Sequence, residues 1–133
     1  MTKTHKKRIQ LWIDALRSGE YKQVRGRLGK GTKKSMGYCC LGVACEVAIA
    51  NGVDVARGRE KQEICYDGIT DVLPISVCGW YGFGEDDDNP VLDTYTGETC
   101  SGANDNKKRS FSTIADMIEA RFLMAKKKAG KRA

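Results

Sequence analysis

Three cysteines open the apolar run GYCCLGVACEVAIANG, Gly37 to Gly52, the segment closest in type to an active-site motif. Cys39, Cys40 and Cys45 admit four readings: a nucleophile, metal ligands, disulfide partners or core thiols. A nucleophilic thiol needs a base, and the only histidine is His5, in a basic N-terminal arm far from them in sequence. Zinc needs four ligands, usually as two closely spaced pairs. Cys40 and Cys45 stand at the upper limit of that spacing, while Cys65, Cys78 and Cys100 are scattered singly. No secretory leader pattern follows the N-terminal MTKTHKKRIQLW, so the reading is cytoplasmic, where thiols stay reduced. Buried structural thiols are the favoured reading. If a helix starts at Leu41, its macrodipole would lower the pKa of Cys39 and Cys40 at its N-terminus.

Other chemistry is thinner. The carboxylates Glu85, Asp86, Asp87 and Asp88 lack the spacing of a calcium loop and read as a solvated turn. The loop GKGTKK is Gly-rich and basic without being a Walker A motif. Its cations Arg25, Arg27, Lys30, Lys33 and Lys34 could close on a phosphate, although a solvated basic hairpin explains them as well. Tyr38 lies where this loop meets the buried segment, and Trp80 and Tyr81 are candidate stacking aromatics. These eight residues are the candidate ligand-binding set; no catalytic residue, metal or cofactor is expected.

Charge is segregated along the chain. Residues 1–38 hold eleven Lys or Arg against two acids, net +9; residues 39–106 hold three against thirteen, net −10; residues 107–133 hold nine against two, net +7. The overall +6 suits an anionic partner for the ends, a nucleotide or nucleic acid, or mutual neutralisation on folding. A host protein partner and an oligomer stay open. No apolar run approaches the ~20 residues of a membrane span, so no membrane partner is expected.

The elements that must position these residues follow from periodicity. Ile9, Trp12, Ile13 and Leu16 mark one face of a helix with Thr4 as N-cap and a stop at Ser18-Gly19. Leu41 to Ala50 is apolar nearly all round, the pattern of a buried helix. Ile64 to Tyr66 and the segment VLDTYTGETC read as strands, Pro74 starts a short helix ending at Gly79, and SGANDNKKR reads as a loop. Phe111, Ile114, Ala115, Ile118, Phe122 and Ala125 line a last helix capped by Ser110 or Ser112. The expected fold is one α+β domain over residues 1–125, three main helices on a small antiparallel sheet built near Tyr21, Ile64 and Leu92, followed by a basic tail, 126–133.

WIDALRSGEYKQVRGRL, GYCCLGVACEVA, LPISVCGW and SFSTIADMIEARF together resemble a group of small proteins from bacteriophage genomes and prophages. Members pair a W-x-x-A-L-R-S-G-x-Y-x-Q opening with a C-C-L-G-V-x-C block and an S-F-x-x-I-A-x-x-I-E helix. This chain departs where members carry Leu-Asn-Asp, reading Ala103-Asn104-Asp105. The resemblance implies a phage accessory protein acting on host machinery or immunity, for instance by sequestering a nucleotide signal. The expected function is therefore non-enzymatic binding of an anionic, phosphate-bearing ligand, with nucleic-acid binding through the basic loop and tail as the alternative and a thiol-dependent enzyme as the third.

Overall fold

The computed structural model describes residues 1–124; the last helical position expected from the sequence, Ala125, and the basic tail 126–133 lie outside the described residues. Helix α1, Lys3–Arg17, turns its predicted stripe inward, with Ile9, Trp12, Ile13 and Leu16 all buried. Its cap is Thr2 rather than Thr4: the Thr2 hydroxyl accepts from the His5 amide while His5 Nδ1 accepts from the Thr2 amide. That reciprocal pair explains the earlier start and gives the single histidine a structural duty.

Strand β1, Lys22–Gln23, hairpin β2, Gly29–Thr32, with β3, Ser35–Tyr38, and hairpin β4, Arg57–Glu60, with β5, Glu63–Tyr66, form one sheet in the order β1-β3-β2-β5-β4. The sheet is mixed rather than antiparallel, because β1 passes over its sequence neighbour β2 and pairs with β3, which runs in the same direction. Leu92 is not in it. It belongs to a separate hairpin, β6, Val91–Asp93, and β7, Glu98–Thr99.

Helix α2, Cys40–Ala50, is the centre of the core. Between Cys40 and Ala48 only Glu46 escapes full burial. It packs against β3, against α1 and against α3, Ile75–Tyr81. Pro74 is the residue before α3, not its first, and α3 passes Gly79 to end at Gly82, whose φ of 89° suits glycine. Helix α4, Phe111–Ile118, is capped by Ser110 and continues as a π-helical segment, Glu119–Met124, along α1. Arg17 ties the two helices by hydrogen bonds to Asp116 at 2.7 Å and Glu119 at 3.3 Å. Among the described residues no helix is long and apolar enough to cross a membrane.

The segment expected to be a loop, SGANDNKKR, contains a π-helical turn, Gly102–Asn106, that drives Asn104 into the core with no exposed surface. The Asn104 amide is saturated. Its oxygen accepts from Gln23 Nε2 at 2.8 Å and from the Cys40 amide at 3.3 Å; its nitrogen donates to the Val24 carbonyl at 2.9 Å and to Asp105 at 2.8 Å. One side chain thus joins β1, the N-terminus of α2 and the 102–106 turn.

Candidate anion-binding groove

The cysteine block is built as framework. Cys39 is the N-cap of α2, its sulfur 3.4 Å from the Gly42 amide, and the Cys40 carbonyl accepts from Trp12 Nε1 at 2.9 Å. Gly42 leaves room for the Leu28 carbonyl, which a Cβ at this position would strike. The expected lowering of thiol pKa at this helix terminus is reversed. Burial pushes the Cys39 thiol up, hydrogen bonding to Cys100 followed by burial does the same for Cys40, and burial dominates at Cys45. Desolvation of a thiolate outweighs the terminal dipole when the sulfur has so little water around it. Cys78 is raised to about 11 by the same cause. All six cysteines are free thiols, and His5 is held in the cap of α1 and packed under Gly82.

The sheet presents a different chemistry. Residues paired across antiparallel strands share a face, so Tyr38, Gly29, Ile64 and Arg59 lie in one row, with Gly31 and Met36 beside them and Tyr66 and Arg57 on the other side. Helix α2 covers part of this inner face, burying Ile64 and Tyr66. Where it stops, Lys33 of the β2–β3 turn, Met36 and Tyr38 of β3, and Arg57 and Arg59 of β4 border an open groove of about 260 Å³. Gly29 of β2 contributes no side chain to this face, which lets the Tyr38 ring and the Ile64 side chain close over it from the flanking strands.

Its charges are ordered by α2. Glu46 is held by Tyr66, whose hydroxyl donates to it at 2.6 Å, and by Arg57 in a two-pronged pair at 2.6 and 3.0 Å. Burial first, and the bond to Glu46 second, push the Tyr66 hydroxyl far above the usual tyrosine range. Arg57 keeps one terminal nitrogen outside this pair. Arg59 donates from one nitrogen to the Gly31 carbonyl at 2.8 Å, fixing the guanidinium at the groove edge with the remainder unengaged among the described residues. The Tyr38 ring packs edge-on against Tyr21 with centroids 5.5 Å apart. Its hydroxyl has no protein partner among the described residues, and burial raises its pKa.

The eight residues chosen from sequence do not assemble into one site. Lys33 and Tyr38 reach the groove. Lys34 sits beside Lys33 on the same exposed turn, and Lys30 lies on the opposite, outer face, in register with Gly37 and Glu63. Arg25 is spent on the Asn104 carbonyl at 3.1 Å, and Arg27 on Glu63 at 3.2 Å. Trp80 is half-buried under the Arg8 guanidinium, 4.8 Å from its ring centroid, on α3. Tyr81 has no exposed surface, and its hydroxyl donates to the Ala44 carbonyl at 2.7 Å, which removes it from the ligand set.

Sequence reasoning missed Arg57, Arg59 and Glu46. The signal was in ARGREKQEICY, where Arg57 and Arg59 alternate with Gly58 and Glu60 as strand residues sharing a face do. Elsewhere, a polar recess of about 440 Å³ lies beside the half-buried pair of Glu98 and Arg109, which bond to each other in a two-pronged pair. Among the described residues no group of three or more His, Cys, Asp or Glu could hold a metal ion.

The chain belongs to the family described as a domain of unknown function, DUF8296, whose profile matches residues 4–122. No curated protein and no solved structure matches it.

Proposed function

We propose that this protein is a non-enzymatic binding protein for a small anionic, phosphate-bearing ligand, taken up in the groove between the β2–β3 turn and β4. The observation that carries this reading is that Lys33, Arg57 and Arg59 line one groove with a single aromatic, Tyr38, beside Met36 and Ile64, and that among the described residues its one lining carboxylate, Glu46, is already committed to Arg57 and Tyr66. Guanidinium forks suit phosphate geometry, and the tyrosine supplies a flat apolar surface with a hydroxyl at its tip. The raised thiols argue against nucleophilic chemistry at the cysteine block.

The motif resemblance to phage and prophage proteins supplies the setting for this reading: an accessory protein in the host cytoplasm that sequesters a nucleotide signal of host defence. Six free thiols fit a reducing compartment. The competing reading, a nucleic-acid binder, loses support from Arg17, Arg25, Arg27 and Arg109, each engaged within the fold.

Calorimetric titration with mononucleotides and with single-stranded oligonucleotides at several salt concentrations separates the two. The proposal expects saturable 1:1 binding of a mononucleotide that is lost in the double variant Lys33→Ala/Arg59→Ala. A steep salt slope for oligonucleotides, unchanged in that variant, would favour the nucleic-acid reading.

A further inference from the structure

Resting on the groove as a phosphate site, we infer that its ligand class is the phosphomonoester, a nucleotide with a terminal phosphate dianion, and that phosphodiesters are discriminated against. Charge matching carries the inference. The groove's charged groups are Lys33 from the turn, Arg57 and Arg59 from β4 and Glu46 from α2, leaving a net charge of +2. A phosphomonoester carries about −1.5 to −2 near neutrality, with a second pKa of about 6, whereas a diester carries −1 at every pH of interest.

The geometry separates the three cations in role. Arg57 is clamped by Glu46 through Nε and one terminal nitrogen, and Glu46 is itself clamped by the buried Tyr66 hydroxyl. Arg59 is tethered by the Gly31 carbonyl. Both guanidinium groups are therefore placed before a ligand arrives, which reduces the ordering cost of binding. Lys33 has no ion-pair or hydrogen-bond partner among the described residues, and its mobile ammonium completes the charge.

Size narrows the ligand further. A groove of about 260 Å³ lies just below the ~300–1,000 Å³ typical of sites that enclose a drug-sized ligand. It holds a phosphate and one ring against Tyr38, with the remainder in water. A terminal phosphate can enter from the open side. The phosphate of a polynucleotide or of a cyclic diester brings a second ester carbon toward the clamped guanidinium groups and one charge fewer to repay their desolvation.

The experiment is isothermal titration of the intact protein with adenosine 5′-monophosphate, with adenosine 3′,5′-cyclic monophosphate and with inorganic phosphate, at pH 7.5 and pH 5.0. Between these values the phosphomonoester loses most of its second charge, while carboxylates, lysines and arginines in their ordinary ranges keep their charges and tyrosines stay neutral. At pH 7.5 the monoester is expected to bind at least tenfold more tightly than the cyclic diester. At pH 5.0 its affinity should fall about tenfold, the fraction of dianion that remains, while that of the diester stays level. Lys33→Ala, a change on an exposed turn that leaves the fold intact, should narrow the preference. Equal affinity for monoester and cyclic diester, or a monoester affinity that ignores pH, overturns the inference and leaves the groove standing as a general anion site. Failure of all three probes to bind overturns both.

Discussion

Replacing Asn104 by alanine tests the framework that holds the groove in place. Four hydrogen bonds disappear, but their losses are unequal. Gln23 Nε2 retains the Arg109 carbonyl at 2.8 Å, and Asp105 retains the Gly26 amide at 2.9 Å. The Cys40 amide and the Val24 carbonyl have no other protein partner among the described residues. Leaving a buried donor or acceptor unpaired costs about 1–3 kcal/mol, so two of them give about 2–6 kcal/mol. Domains of this kind are stable by only about 5–15 kcal/mol, so the variant should lose a large share of its stability. Urea unfolding followed by tryptophan fluorescence is suited to the measurement, because Trp12 bonds to the Cys40 carbonyl at the same junction. Asn106→Ala, an exposed position two residues along, should stay within about 0.5 kcal/mol of the parent. A loss below about 1 kcal/mol at Asn104 would refute the reasoning, since it would mean that neither orphaned group is in fact deprived of a partner.

Gly42→Ala places a methyl group on the Leu28 carbonyl, which already receives the Cys39 amide at 2.9 Å; overpacking of about 1–3 kcal/mol should appear as a melting temperature lowered by roughly 4–12 °C. The hydrogen bond from Arg109 holds the Glu98 carboxyl below its usual range, so its stabilisation is complete above the ordinary carboxylate pKa of about 4.3 and is lost as pH falls through the folded value. A plot of melting temperature against pH should therefore bend downward below about pH 4, and Glu98→Gln should flatten that limb. Cys65, half-exposed on the outer face of the sheet, is the most accessible of the six thiols; a disulfide reagent should modify one equivalent in the native protein, Cys65→Ser should remove it, and the other five should react only on unfolding.

Periodicity revealed the helices well because their order comes from one-dimensional spacing. The α1 stripe from Ile9 to Leu16 and the α4 stripe from Phe111 to Ile118 are buried as the pattern requires. The β hairpins were harder to see because glycines and charges fill their strands: Gly29-Lys30-Gly31-Thr32 and Arg57-Gly58-Arg59-Glu60 carry no hydrophobic alternation. Their order comes from pairing partners that local sequence does not name. Asn104 was hidden for a related reason, since a polar residue in a Gly- and Asn-rich stretch reads as a loop until its four partners are seen together. The cysteine block, favoured from sequence as buried structural thiols, is buried core. Its motif-like appearance reflects packing demands at one junction, where Trp12, Leu28, Asn104 and the start of α2 meet. The candidate site lies elsewhere, with Lys33, Met36 and Tyr38 from the β2–β3 hairpin, Glu46 from α2, and Arg57, Arg59 and Ile64 from the later β4–β5 hairpin.

The most direct test of the groove is a two-dimensional amide NMR titration of the full chain with adenosine 5′-monophosphate at pH 7.5. The account predicts saturable shifts concentrated at residues 31–38 and 57–64 and at Glu46, with little change on α1, on α3 around Trp80 or in the β6–β7 hairpin. Shifts centred on Trp80, on the recess beside Glu98 and Arg109, or spread along the basic ends without saturation would contradict it.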